Sequence, residues 1–257
     1  MSRRHVTFSC EDDTLVGTLD DAEGTAGLLL VSGGNEIRSG AFAGQAHLAA
    51  RLAAAGFPVF RYDRRGIGDS SGANREFRDS GADLAAAIAA FRTEKPDLTR
   101  VVGFGNCDAA SALMLNSGSG CDALVLANPW TIEEDDGAPP PEVIRSRYAQ
   151  KLRDPKEVLR LVTGGVSLRK LASGLKRATA ATAAPSGLAQ EMKAGLEAFA
   201  GPVRILIADR DRTAQAFLAD WDRHDPRLST CDCASHAFVE PDAREWLFQR
   251  LVTALST

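Results

Sequence analysis

The rhythm of apolar runs is the feature that most constrains the fold. Eight short runs rich in Val, Leu, Ile and Phe recur along the chain: "HVTFS", "LVGTL", "AGLLLVS", "FPVFRYD", "RVVGFGN", "DALVLAN", "PVRILIAD" and "RLSTCDC". Helical patterns separate most of the later ones. Leu48 and Leu52 lie one turn apart ahead of Gly56, a natural helix stop; Leu84, Ile88 and Phe91 recur at helical spacing, as do Leu247, Leu251 and Leu255. Continuous apolar strands that alternate with helices are covered on both faces, so the pattern predicts an α/β fold with a mostly parallel sheet. The first two runs have no helix between them and predict an antiparallel hairpin at one edge. With 257 residues, 44% of them hydrophobic, the chain can bury one large core, and residues 1–257 are read as a single domain.

One region breaks the rhythm. Residues 130–200 offer no convincing strand; the stretch opens with the acidic, proline-rich "EEDDGAPPPE" and continues into the helical patterns "EVIRSRYAQKL" and "EVLRLV". Set between two apolar strands, it is expected to form a helical cap over the carboxyl ends of the sheet, where open α/β sheets bind ligands.

Composition excludes several classes. A net charge of -4 gives no basic surface for nucleic acid. The longest apolar run, "AGLLLVS", is too short to span a bilayer, and "MSRRHVTFSCEDD" has no apolar stretch behind its arginines to serve as a secretory signal. A cytoplasmic location is expected. The odd number of cysteines, five, speaks against a disulfide framework and for reduced thiols.

The chemistry centres on "GFGNCDAAS", residues 103 to 111. "RVVGFGN" reads as a strand and "AASALML" as the start of a helix, with Cys107 at the junction in the pattern Gly105, Asn106, Cys107, Asp108, Ala109. This is similar to the G-x-S-x-G nucleophile elbow of α/β-hydrolases, with cysteine in the serine position and Ala109 in place of the second glycine. A thiol is the stronger nucleophile, and a helix N-terminus favours its thiolate, whereas a carboxylate as close as Asp108 opposes it. The Asp108 side chain is therefore expected to turn away and leave its backbone N–H as an oxyanion donor.

The partners follow in the chain order of such hydrolases: nucleophile, acid, base. Asp211 lies just beyond the strand "PVRILIAD" and His236 in "CDCASHAF", after the last apolar run. Asp211 is preferred to Asp209 because the acid sits a few residues past the strand end. Of the four histidines, His5 falls in a strand, His47 in a helix and His224 in the polar "DRHD" loop, which leaves His236 as base. The "GGNEIRSG" loop supplies Gly34 and Asn35 as further candidate oxyanion donors, because paired glycines admit close backbone approach. "FRYDRRGIGDSSG" is read as scaffold. Arg38, Arg64 and Arg65 are candidate contacts for an anionic substrate group, with solvated surface the favoured reading of each.

Cys231, Cys233 and His236 form C-x-C-x-x-H, the residue types of a metal site. No second ligand pair accompanies them, so no metal is assigned. A redox role, with oxidised Cys107 resolved by another thiol, is a further alternative.

Several of these segments together resemble the first type of exosortase A system-associated hydrolase, a bacterial branch of the α/β-hydrolase superfamily. They are "GGNEIRSGAFAGQAHLAARLAAAGFPVFRYDRRGIGDSSG", "GNCDAASALML", "RYAQKLRDPKEVLRLVTGGVSLRKL" and "SHAF". The resemblance implies an α/β-hydrolase fold, a Cys–His–Asp triad carried onto Cys107, His236 and Asp211, and no metal or organic cofactor. It also implies a setting in Gram-negative exopolysaccharide and protein-sorting systems. The expected reaction is cleavage of an ester or thioester in a small-molecule or acyl-carrier-type substrate. Acyl transfer by the same triad and a catalytically silent binding protein are the alternatives. Aspartate nucleophiles of dehalogenases and epoxide hydrolases are disfavoured, since Asp108 stands one place past the elbow.

Overall fold

The computed structural model describes residues 2–133, 186–233 and 235–257. All eight apolar runs form strands: β1 (Ser2–Cys10), β2 (Asp13–Asp21), β3 (Ala26–Val31), β4 (Val59–Tyr62), β5 (Arg100–Asn106), β6 (Ala123–Ala127), β7 (Val203–Ala208) and β8 (Leu228–Cys231). They make one sheet in the order β1-β2-β4-β3-β5-β6-β7-β8. β1 and β2 pair antiparallel, as the missing helix between them predicts, and β2 pairs antiparallel with β4. From β4 to β8 every neighbouring pair is parallel.

The described helices are α1 (Gly44–Ala54), α2 (Gly81–Glu94), α3 (Asp108–Leu115), α4 (Gly187–Ala198), α5 (Arg212–Asp220) and α6 (Pro241–Ser256). Successive strand residues face opposite sides of the sheet, and the two faces fill two cores. Leu29 and Val31 of β3 pack with Leu84 and Phe91 of α2, Leu113 of α3, Met192 of α4 and Phe217 of α5. Leu28 and Leu30 pack on the other face with Leu52 of α1 and Leu247, Leu251 and Leu255 of α6. The helical spacings visible in the sequence are the buried stripes of α1, α2 and α6. Gly56, with φ +97, stops α1 in a conformation that L side chains rarely adopt.

Most of the cap expected over 130–200, namely 134–185 with "EVIRSRYAQKL" and "EVLRLV", lies outside the described residues. Within its bounds α4 is described; the Ser186 hydroxyl caps it by accepting from Ala189 N–H at 3.1 Å.

Arg64 and Arg65 depart from the sequence expectation. They are 4% and 2% exposed, not solvated surface. Buried guanidinium groups require partners. Arg65 Nε donates to Asp83 at 2.6 Å, and Arg64 donates to the Gly34 carbonyl oxygen. Arg38 pairs with Asp63 and lies 2.9 Å from Asp69. This network ties the β4 loop to its surroundings.

Candidate active site

Parallel registers bring the carboxyl ends of the central strands side by side. Val31 pairs with Gly105 and Asn106 with Ala127, so the loop after β3, the β5–α3 turn and the end of β6 share one edge. Cys107 occupies the turn itself, at φ 63 and ψ −131, a region that non-glycine residues seldom visit. Two features fix it there. Its N–H donates to the Ala127 carbonyl at 3.0 Å. A Cβ on Gly105 would lie 2.6 Å from the Ala109 carbonyl carbon, so β5 can cross α3 this closely only with glycine at that position. Ala109 is fully buried, and the turn closes around its methyl group.

His236 Nδ1 lies 3.0 Å from Asp211 Oδ2. Asp209, the alternative acid, instead approaches Arg210 at 3.9 Å. Asp211 is also the N-cap of α5 and accepts from Ala214 N–H at 3.0 Å. Burial alone would raise its carboxyl group, but the hydrogen bonds from His236 and Ala214 outweigh that and hold it below the usual carboxylate range. The imidazole is pushed up to about 10, chiefly by its hydrogen bond to Asp211 and next by one to the Cys107 thiol, against the effect of burial.

Two asparagines, absent from the sequence expectations, hold the histidine loop. Asn106 and Asn128 both donate to the His236 carbonyl oxygen, at 3.2 and 3.0 Å. Asn128, fully buried at the end of β6, also accepts from Ala208 N–H at 2.8 Å. Its signal in the sequence is a lone amide that ends the apolar run "ALVLA".

A cavity of about 500 Å³ opens beside Cys107 and His236, between α1 and the start of α6. Its walls include Val31, Leu48, Phe104, Phe238 and Leu247.

The alpha/beta hydrolase family model matches residues 28–250. The chain belongs to this family. No curated protein matches the hydrolase by sequence. Among solved structures it is similar to the Pyrococcus furiosus esterase Pf2001, with 16% identity, a TM-score of 0.64, and 99% of this chain and 90% of that chain covered. DcsB in complex with its substrate analogue gives 15%, 0.62, 99% and 98% in the same order. The thioesterase domain from the curacin biosynthetic pathway gives 14%, 0.59, 98% and 100%. At these identities the likeness speaks for the fold of the hydrolase.

Other candidates of the sequence fall as follows. The N–H of Gly34, the first candidate oxyanion donor, donates to both carboxylate oxygens of Asp108, at 2.6 and 2.8 Å. Asn35 is exposed, and its side-chain oxygen accepts from Asn74 at 2.8 Å. The N–H of Asp108 stands at the first position of α3, where a helix offers no internal partner. Arg38, committed to Asp63 and Asp69, is not among the residues lining the cavity. Cys231 and Cys233 are buried in the second core, and no metal-sized group of His, Cys, Asp or Glu occurs among the described residues. No helix among those residues is long and apolar enough to cross a membrane.

Proposed function

We propose that this hydrolase cleaves ester or thioester bonds through an acyl-cysteine intermediate on Cys107. The Cys107 sulfur, its proton already held on His236, attacks the acyl carbonyl carbon as a thiolate, and the carbonyl oxygen becomes an oxyanion. His236, held protonated by Asp211, gives its proton to the departing alcohol or thiol as the tetrahedral intermediate collapses. Water, deprotonated by the now neutral imidazole, then attacks the acyl-cysteine; collapse returns the proton balance and releases the acid. Backbone N–H groups at the start of α3 and in the loop after β3 serve the oxyanion.

The observation that carries this reading is the Asp211–His236 hydrogen bond beside Cys107, with the cysteine on a strained strand-to-helix turn and bordering the same cavity as the histidine. The substrate is a small molecule or an acyl group on a carrier, and the likeness of several segments to exosortase A-associated hydrolases supports a cytoplasmic setting in an exopolysaccharide-producing bacterium.

Intact-protein mass spectrometry after brief exposure to a p-nitrophenyl ester tests the mechanism. The wild type is expected to gain one acyl group at Cys107, and Cys107→Ala to gain none and turn over no ester. Full turnover by Cys107→Ala would overturn the reading.

A further inference from the structure

The Asp108 carboxylate sits where an acyl oxygen is expected to bind. Both of its oxygens accept from the Gly34 N–H, and Gly34 borders the same cavity as Cys107 and His236. The approach is built in: a Cβ on Gly33 would lie 2.5 Å from Asp108 Oδ1, so only glycine there leaves room for the carboxylate. Arg64, 4% exposed, donates from Nη2 to the Gly34 carbonyl oxygen, and the same Nη2 lies 4.0 Å from Asp108 Oδ2. The same guanidinium thus draws the loop after β3 and the first residue of α3 together. Its Nη1 is buried with no hydrogen-bond partner among the described residues.

We propose that Asp108 determines specificity by occupying the oxyanion site of the resting enzyme, so that acylation of Cys107 requires a substrate bound tightly enough to displace its carboxylate. This rests on the acyl-cysteine reading above. The binding energy comes from the apolar cavity beside Cys107, whose walls of Leu48, Phe104, Phe238 and Leu247 suit an alkyl chain. Each methylene buried there adds binding energy that can be used at the reacting centre. An acetyl group, with a single methyl to bury, gains the least from it. The substrate class is therefore a chain-bearing acyl ester or thioester, and short acyl groups are refused at the oxyanion site as well as bound weakly.

The test compares p-nitrophenyl acetate with p-nitrophenyl octanoate in the wild type, Asp108→Ala and Asp108→Asn, following nitrophenol release and the mass of the Cys107 adduct. Alkylation of Cys107 by iodoacetamide is measured alongside, because displacement at a saturated carbon forms no oxyanion. A single oxyanion donor is worth about 10²- to 10³-fold. Asp108→Ala should therefore speed acetylation at least about tenfold, speed octanoylation less, and lower the octanoyl-to-acetyl ratio by about tenfold. Alkylation should change less than about threefold in the same variant. Asp108→Asn keeps an acceptor without the charge and should fall between; it decides the matter alone if the alanine variant does not fold. An unchanged ratio, or acetylation slowed in both variants while alkylation persists, would overturn the proposal. Loss of the acyl-cysteine reading looks different: the wild-type Cys107 alkylates but forms no adduct with either ester, which overturns both.

Discussion

Asp211 holds the His236 imidazole and the first turn of α5 with the same carboxylate, accepting from His236 Nδ1 and from Ala214 N–H, each at 3.0 Å. Substitution can separate the two duties. Asparagine caps a helix about as well as aspartate but carries no charge to balance an imidazolium. Asp211→Asn should keep its melting temperature near the wild type and lose about 10²- to 10⁴-fold in kcat. Asp211→Ala should lose the same activity and also about 1 kcal/mol of stability from the missing cap. Asp209→Asn should stay within about threefold of the wild type, as a residue outside the reacting series. Ester turnover and thermal melts of the three variants check this, and a fully active Asp211→Asn would remove Asp211 from the mechanism.

Leaving-group chemistry exposes the state of His236. With its value pushed up to about 10, the imidazole is expected to serve as a proton donor throughout the neutral range. A departing alkoxide needs that proton, and a nitrophenolate does not. The kcat/KM for an alkyl ester should therefore fall about tenfold per pH unit above that value, while a nitrophenyl ester of the same acid shows no such limb. Matching profiles for the two esters would mean that His236 does not protonate the leaving group.

Folding stability should carry the same signature. The folded value of His236 lies above its ordinary 6.5, so its contribution is fully present below pH 6.5 and is lost as pH rises through about 10. Asp211 has the opposite sign: its folded value is depressed, so its contribution is present above about pH 3.9 and is lost as pH falls through the folded value. The melting temperature of the wild type relative to His236→Gln should thus be highest between about pH 4 and 6.5 and decline towards pH 10. Parallel curves from pH 6.5 to 10 would show that the fold does not favour the imidazolium.

Strands β3 to β7 were legible because each is an apolar run buried along most of its length, the largely exposed edge strands β1 and β8 from shorter apolar runs, and α1, α2 and α6 because their leucines repeat at the helical period. The short α5 was less visible: its buried stripe is Ala214, Ala216 and Phe217 in a polar surround. Cys107, Asp211 and His236 could be placed by chain order, since topology puts the ends of successive parallel strands along one edge. Side-chain direction was not legible. Nothing in "GGNEIRSG" or "GNCDAAS" says that Asp108 reaches the Gly34 N–H, because that contact depends on the distance between two loops separated by 74 residues. The burial of Arg64 and Arg65 was hidden for a similar reason: their partners, Gly34 and Asp83, come from other elements.

Asn128 is the buried support of the histidine loop. Its amide donates to the His236 carbonyl and the Asn106 side chain, and its oxygen accepts from Ala208 N–H. Asn128→Ala strands the Ala208 N–H and leaves the His236 carbonyl oxygen to Asn106 alone, and should cost about 1–3 kcal/mol, measured by urea unfolding. Asn128→Asp retains the acceptor for Ala208 but turns a negative oxygen towards the His236 carbonyl. It should lower kcat more than KM rises, because the imidazole is displaced from Cys107 while the cavity stays intact. If Asn128→Asp left kcat unchanged, the asparagine would support the fold alone.

The two small residues of the elbow should respond in opposite ways. A methyl group on Gly105 would meet the backbone of Ala109 at 2.6 Å, and neither the strand nor the helix can yield without moving Cys107. Gly105→Ala should therefore destabilise by about 1–3 kcal/mol, the usual cost of overpacking, and abolish acylation. Ala109→Gly restores the glycine of the G-x-S-x-G pattern, yet the turn already closes around the buried Ala109 methyl. Removing it should bring no gain in kcat, and glycine within α3 should cost about 0.5–1 kcal/mol. Acyl-adduct formation and urea midpoints of both variants measure the asymmetry. A faster Ala109→Gly enzyme would show that the methyl group strains the turn, and that this hydrolase gives up rate at the position where it departs from its family.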